Sequence, residues 1–392
     1  MISPKGYHLF YLETYQLKNS ALYIHIPFCD HKCIYCDFYS IITSDNIKSF
    51  LSSLKKEISF YSQKYNHDRV FTSIFFGGGT PSLMEPNYLE EILNHLKDNF
   101  NVDANAEVTM ETNPGTVDKA KLKQFKQAGI NRVSIGIQSF DEDDLKFLTR
   151  IHDKQTAIQT VINAAEVGFD NLSLDLIFNL PNQTQEKWIK NLEIAITLPI
   201  KHISTYSLIL EPGTILNKMV LDNKVTMQDD DYDADLYETT IDFLVSNGFY
   251  QYEVSNFSKQ GFECVHNNAY WKYREYFGFG PSAHSFAEGK RWWNYTSLKK
   301  YISEIELNNH AMMNLEDLSP SQIHDEYVML ALRSSGLDLM EYKKRFAEDW
   351  INKSLPYLKL LQQKKLIILN QSEIKLTSGG YAVCDEILKN IL

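Results

Sequence analysis

The chain has 392 residues, enough for about two or three domains, with 44% hydrophobic, 13% aromatic and 23% charged residues, 11 Pro and 17 Gly, a globular composition that excludes disorder as the main state. Its 39 basic and 50 acidic residues leave a net charge of −11, which argues against a broad non-specific hold on nucleic acid or an anionic membrane. No apolar run approaches the ~18 residues needed to span a bilayer, and Lys5, His8, Glu13 and Lys18 interrupt residues 1–20, which are read as an N-terminal extension of a cytoplasmic protein.

The predicted elements begin with a β-rich run at 21–26, stopped by Pro27 and followed by a helical pattern through Ile47, Phe50, Leu51, Leu54, Ile58 and Tyr61. A second strand at 70–76 runs into Gly77-Gly78-Gly79, and Leu89, Ile92, Leu93 and Leu96 mark the next helix. A strand at 106–111 precedes a helix with Leu122, Phe125 and Ala128, closed by Gly129 where a left-handed cap belongs. Further strands are expected at 132–138, 171–178 and 202–209, with helical segments around 141–148, 154–167, 184–198 and 230–247. Such alternation requires parallel strands with helical crossovers. The glycine run reads G-G-G-T-P-S, matching neither the dinucleotide fingerprint nor the phosphate-binding loop, so a partial (β/α)6 barrel over 21–250 is the predicted α/β fold.

Residues 251–310 are rich in Tyr, Phe, Trp, Gly and Asn without a clean period, and read as an irregular connecting region with short strands. From 311 to 392, helical patterns around Ile323–Leu330 and Leu355–Leu361 precede alternation at 366–369 and 374–376, which suggests a winged-helix-like α+β domain. That stretch carries 10 basic against 11 acidic residues, without the surplus a nucleic-acid reader needs, so protein packing is the expected role.

Chemistry concentrates at Cys29, Cys33 and Cys36. Five cysteines are too few and odd in number for a disulfide framework, and the isolated Cys264 and Cys384 read as small buried hydrophobes. A loop after the first strand would bring the three clustered thiolates to the C-terminal rim of a barrel, where such folds work. A structural zinc would want four ligands, and His31 sits inside the x3 loop with little freedom to close a tetrahedron. A zinc-stabilised interaction protein stays open as an alternative. A 4Fe-4S cluster on three thiolates leaves one iron for an outside ligand.

Cys-x3-Cys-x2-Cys resembles the signature of the radical S-adenosylmethionine superfamily, whose fold is a partial barrel of six strand-helix units. The resemblance implies that S-adenosylmethionine chelates the open iron and is cleaved reductively to a 5'-deoxyadenosyl radical. Tyr23-Ile-His-Ile-Pro-Phe-Cys29 and Phe76-Gly-Gly-Gly-Thr80-Pro81 are similar to the coproporphyrinogen-oxidase-like branch. From the matching motifs, the resemblance assigns Tyr23, Gly78, Gly79, Thr80, Glu111, Gln138, Arg150 and Asp175 to S-adenosylmethionine. The glycine run, Glu111, Gln138 and Asp175 also fall at or near the C-terminal ends of predicted strands, where they would ring one rim. One departure is Asn179, where the branch usually has Gly.

The oxygen-independent coproporphyrinogen III oxidases extend the signature by a fourth Cys, whereas this chain has Phe38. His266-Asn-Asn-Ala-Tyr270-Trp271 resembles the motif of the HemW-type haem chaperones, with His266 implied as a haem ligand and His284 as an alternative. The resemblance therefore implies a haem chaperone that uses a 4Fe-4S cluster and S-adenosylmethionine and delivers haem to an unidentified acceptor protein. Contact with a membrane-bound acceptor would need no membrane span. The oxidase, which decarboxylates coproporphyrinogen III to protoporphyrinogen IX, is the rival.

Overall fold

The computed structural model describes residues 17–43, 45–347 and 349–392; most of the expected N-terminal extension lies outside them. Six strands run parallel and adjacent in chain order: β1 (Lys18–Ile26), β2 (Arg69–Gly78), β3 (Val102–Thr112), β4 (Arg132–Gln138), β5 (Asn171–Phe178) and β6 (His202–Ser207). Their connections carry α1 (Ile47–Tyr65), α2 (Pro86–Asn99), α3 (Lys119–Gln127), the pair α4 (Glu142–Phe147) and α5 (Lys154–Glu166), and α6 (Gln185–Thr197), as parallel pairing demands. Side chains at the junctions start several helices: Asp118, Asp153 and Thr184 each accept a first-turn backbone N–H.

Alternation along the strands divides two environments. Leu22, Ile24, Ile74, Phe76, Val108, Met110, Val133, Ile135, Leu172, Leu174 and Ile203 face the helices and form the main core. The intervening residues include Tyr23, Ser73, Glu107, Glu111, Arg132, Ser134, Asp175 and His202, so the opposite face is largely polar. That polar face is concave. Residues on β1, β2 and β3 all reach His266, while His202 on β6 hydrogen-bonds Tyr252, whose hydroxyl accepts from Cys264 N. One short segment could not touch both sides of a flat six-stranded sheet.

After β6 come α7 (Ile215–Leu221), α8 (Asp230–Ser246), β7 (Tyr250–Gln251), β8 (Asn256–Ser258), α9 (Val265–Trp271), β9 (Tyr276–Phe279), β10 (His284–Ala287), β11 (Lys290–Asn294), α10 (Leu298–Asn308) and β12 (Met312–Asp317). The aromatic-rich stretch is therefore regular, and it extends the barrel's own sheet at both edges. β8 and β7 continue beyond β6, while β9, parallel to β1, continues through β10 and β11 to β12, giving twelve strands. Its strands are too short to show a period, and part of the segment fills the lumen.

The C-terminal part comprises α11 (Pro320–Leu332), β13 (Leu337–Asp338), α12 (Leu339–Arg345), α13 (Asp349–Gln363), β14 (Ile367–Leu369), β15 (Glu373–Leu376), α14 (Ser378–Ala382) and α15 (Cys384–Ile391). β14 and β15 form the expected hairpin, and a separate core of Val328, Leu332, Leu337, Tyr342, Leu358 and Ile374 holds it to the helices. Among the described residues no helix is long and apolar enough to cross a membrane.

Candidate functional site

The cysteine loop leaves β1 at Pro27, which cannot donate to the sheet. It closes on itself, with Ile41 N donating to Pro27 O (2.8 Å) and Cys29 N to Ile41 O (3.0 Å). Ile34, between the second and third cysteines, anchors it in a small core with Leu148, Ile177, Leu180, Leu208 and Leu216. On the other side Gly79 N donates to Ile26 O (2.8 Å) and Thr80 N to Phe28 O (2.7 Å). A side chain at Gly79 would put its Cβ 2.5 Å from Phe28 O, so this glycine lets the loop lie directly on the end of β2.

The three thiols open onto one cavity of about 370 Å³, lined also by Gly78, Gly79, Thr80, Glu111, Gln138, Arg150 and Asp175. Its volume is in the ~300–1,000 Å³ range of small-molecule sites. Phe38 stands at the same cavity, 61% exposed. Ten of the eleven residues assigned to the cluster and S-adenosylmethionine thus meet in one place. Asn179 adopts φ +61°, the left-handed conformation glycine would take, which Asn tolerates better than most residues.

Arg150 is half-buried at the rim: it donates to Asn113 Oδ1 (2.8 Å) and Gly136 O (2.7 Å) and lies 3.5 Å from Cys33 Sγ. Asn113 also donates to Thr80 Oγ1 (3.0 Å), which sits 3.3 Å from Cys29 Sγ. Asn113 lines the cavity and joins the two sides of the cysteine loop, a role sequence reasoning missed although the residue stands in Met-Glu-Thr-Asn-Pro.

Glu111 accepts from Gly78 N (3.2 Å), and Asp175 from Ser134 Oγ (3.1 Å). Enclosure by protein, followed by the nearby Asp175, pushes Glu111 up to about 8. Enclosure also raises Asp175. Two carboxylates facing one cavity without a hydrogen-bonded cation suit a ligand bearing positive charge and hydroxyl groups.

Tyr23 and His266 are not at this cavity. The Tyr23 hydroxyl contacts His25 Nδ1 at 3.2 Å, and its ring lies near Phe75 and His266. His266 is 1% exposed, stacks on Phe75 at 4.9 Å, and engages both ring nitrogens, with Ser73 Oγ at 3.0 Å and the Tyr270 hydroxyl at 2.9 Å. As folded, it is a lumen residue with a neighbour at each ring nitrogen.

Among the described residues no three His, Cys, Asp or Glu side chains gather tightly enough for a single metal ion. The donor set of three soft sulfurs around one cavity, with Arg150 beside Cys33, fits a multi-iron cluster that keeps a place for an outside ligand.

Comparison with known proteins agrees. The Radical SAM superfamily matches residues 23–195. Heme chaperone HemW of Bacillus subtilis is 34% identical over 94% of this chain and 97% of its own. The chain belongs to the HemW family of radical SAM proteins. The mitochondrial radical S-adenosyl methionine domain-containing protein 1 of Danio rerio is 34% identical over 95% of this chain and 87% of its own. In fold, the chain is similar to Escherichia coli coproporphyrinogen III oxidase (HemN), with a TM-score of 0.81 at 22% identity over 96% of this chain and 91% of that one.

Proposed function

We propose that this protein binds haem and passes it to an acceptor protein, working in the cytoplasm with a 4Fe-4S cluster and S-adenosylmethionine at the rim cavity. The observation that carries this reading is the convergence of the cysteine triad, the glycine run and the buried acids on one cavity, in a chain matched over nearly its whole length by haem chaperones. All five cysteines are free, in keeping with a reducing compartment.

Cys29, Cys33 and Cys36 would hold the cluster, which when bound supplies the electron for reductive cleavage of S-adenosylmethionine. Gly78 and Gly79 line the cavity with backbone, their missing side chains leaving room for the His25 ring and the cysteine loop, and Glu111, Asp175 and Gln138 offer hydrogen-bonding oxygens to its amine and ribose. Arg150 steadies the thiolates by charge. Tyr23 supports this rim indirectly, through His25, whose ring lies under Gly78.

Anaerobic reconstitution should give about four irons per chain and broad thiolate-to-iron absorption, and Ala in place of Cys29, Cys33 or Cys36 should abolish both. Wild type should then bind haem in titration and leave coproporphyrinogen III unchanged. Stoichiometric zinc in place of iron would overturn the cluster. Robust conversion to protoporphyrinogen would move the assignment to the oxidase.

A further inference from the structure

Ligation of haem iron by histidine requires a ring nitrogen with a free lone pair and room for a flat macrocycle to reach it. His266 offers neither, and His25 and His202 likewise have both nitrogens engaged, at Tyr23 and Tyr39 and at Ser173 and Tyr252 respectively. Among the described histidines, His31, His95, His152 and His310 each have one ring nitrogen held by a neighbour, whereas His67 and His284 are exposed and have no hydrogen-bonding partner at either. Their positions separate them. His67 precedes β2, at the end of the barrel opposite the rim. β9 runs parallel to β1, and β10 runs back antiparallel to β9, so His284, the first residue of β10, stands at the rim end.

Directly across from His284 on β11 is Trp293. The two rings stack at 5.7 Å with an interplanar angle of 20°. Partial burial and the nearby Arg291 hold the imidazole below its ordinary pKa, which keeps it neutral and able to donate a lone pair at neutral pH. The half-buried indole adds a flat apolar wall beside it.

We propose that His284, with Trp293 packed against its ring, is the axial ligand of haem iron in this protein, and that His266 is a positioning residue. The proposal rests on the haem-chaperone reading and names the ligand within it. Coordination here forms one nitrogen-to-iron bond, displacing water or hydroxide from the free haem. In the lumen His266 braces Phe75 and Tyr23 from beneath the rim.

The test is a hemin titration of the full chain, following the Soret band and, separately, the iron-sulfur spectrum. His284→Ala should weaken binding by about tenfold or more and shift the Soret band, with the iron-sulfur spectrum intact because His284 lies outside the cysteine loop. His284→Met should recover tight binding with a changed Soret position, since thioether replaces imidazole. His266→Gln, which can keep a hydrogen bond in the lumen, should leave the Soret position of wild type. A wild type that binds hemin while His284→Ala titrates identically overturns the ligand, as does loss of the imidazole signature in His266→Gln alone. A wild type that fails to bind hemin overturns the haem reading itself, and the ligand with it.

Discussion

Glu107 and Glu111 stand four residues apart on the same face of β3, yet their surroundings differ. Glu107, at the lumen floor, is 3.8 Å from Arg132 Nε and accepts from Cys264 Sγ and His266 N. Glu111, at the rim, has the Gly78 N–H as a hydrogen-bonding partner and Asp175 nearby. Identical side chains thus serve two ends: one is a structural carboxylate satisfied by its own fold, the other is left short of positive charge where a ligand enters. A polar lumen is costly unless its groups are paired, and the floor is filled by protein to pair them, whereas the rim stays open.

The sharpest way to break this comparison is to remove each carboxylate in turn. Glu107→Ala should destabilise the fold by about 3–5 kcal/mol, because the buried Arg132 charge loses its counterion; the urea midpoint reads this directly. Glu111→Gln should raise that midpoint at neutral pH, because the amide has no charge to desolvate, and weaken S-adenosylmethionine by about 1.5–3 kcal/mol, the worth of hydrogen bonds to a charged group. Equal midpoints for the two variants would erase the distinction between floor and rim.

Gly79 sharpens the boundary of the open region. Its missing side chain faces not the cavity but the backbone of the cysteine loop, where a Cβ would meet Phe28 O at 2.5 Å and Ile26 O at 2.9 Å. Gly79→Ala should therefore cost about 1–3 kcal/mol as overpacking and lower iron content after reconstitution. Full iron loading together with weakened S-adenosylmethionine would show instead that the substitution obstructs the ligand.

Much of the barrel was legible because its strands alternate and their ends are marked by Pro27, Gly77 and the turns that follow. The predicted strands at 132–138 and 171–178 coincide with β4 and β5. The cysteine spacing and the strand-end positions of Glu111, Gln138 and Asp175 were legible for the same reason: sequence position on a barrel strand encodes which end a residue reaches. What was not legible depends on long-range closure. β7 to β11 have two to five residues each, too few for a period to declare that they join the barrel's sheet. A His among aromatics reads alike as ligand or core, and only the fold shows that Ser73 and Tyr270 occupy both nitrogens of His266. Asn113 escaped notice because an Asn before Pro reads as turn punctuation.

The smallest effect is also the most specific to Glu111. An unfolded glutamate titrates near ~4.3, whereas Glu111 in the fold is raised to about 8. Between those values the folded, ligand-free protein keeps a proton that the unfolded chain has released, so this group's contribution makes the fold less stable as pH rises toward 8. Binding a cationic ligand that needs the ionised carboxylate must expel that proton. Affinity for S-adenosylmethionine should accordingly strengthen by about tenfold per pH unit up to roughly pH 8, then level off. The ligand's own amino group titrates identically in wild type and Glu111→Gln, so the difference between their dissociation constants from about pH 6 to 9 isolates this carboxylate. Calorimetry in buffers of different ionisation enthalpy should show about one fewer proton released by the variant below pH 8. If the two pH profiles run parallel, Glu111 does not change protonation on binding, and its shortage of positive charge is met by some other group at the rim.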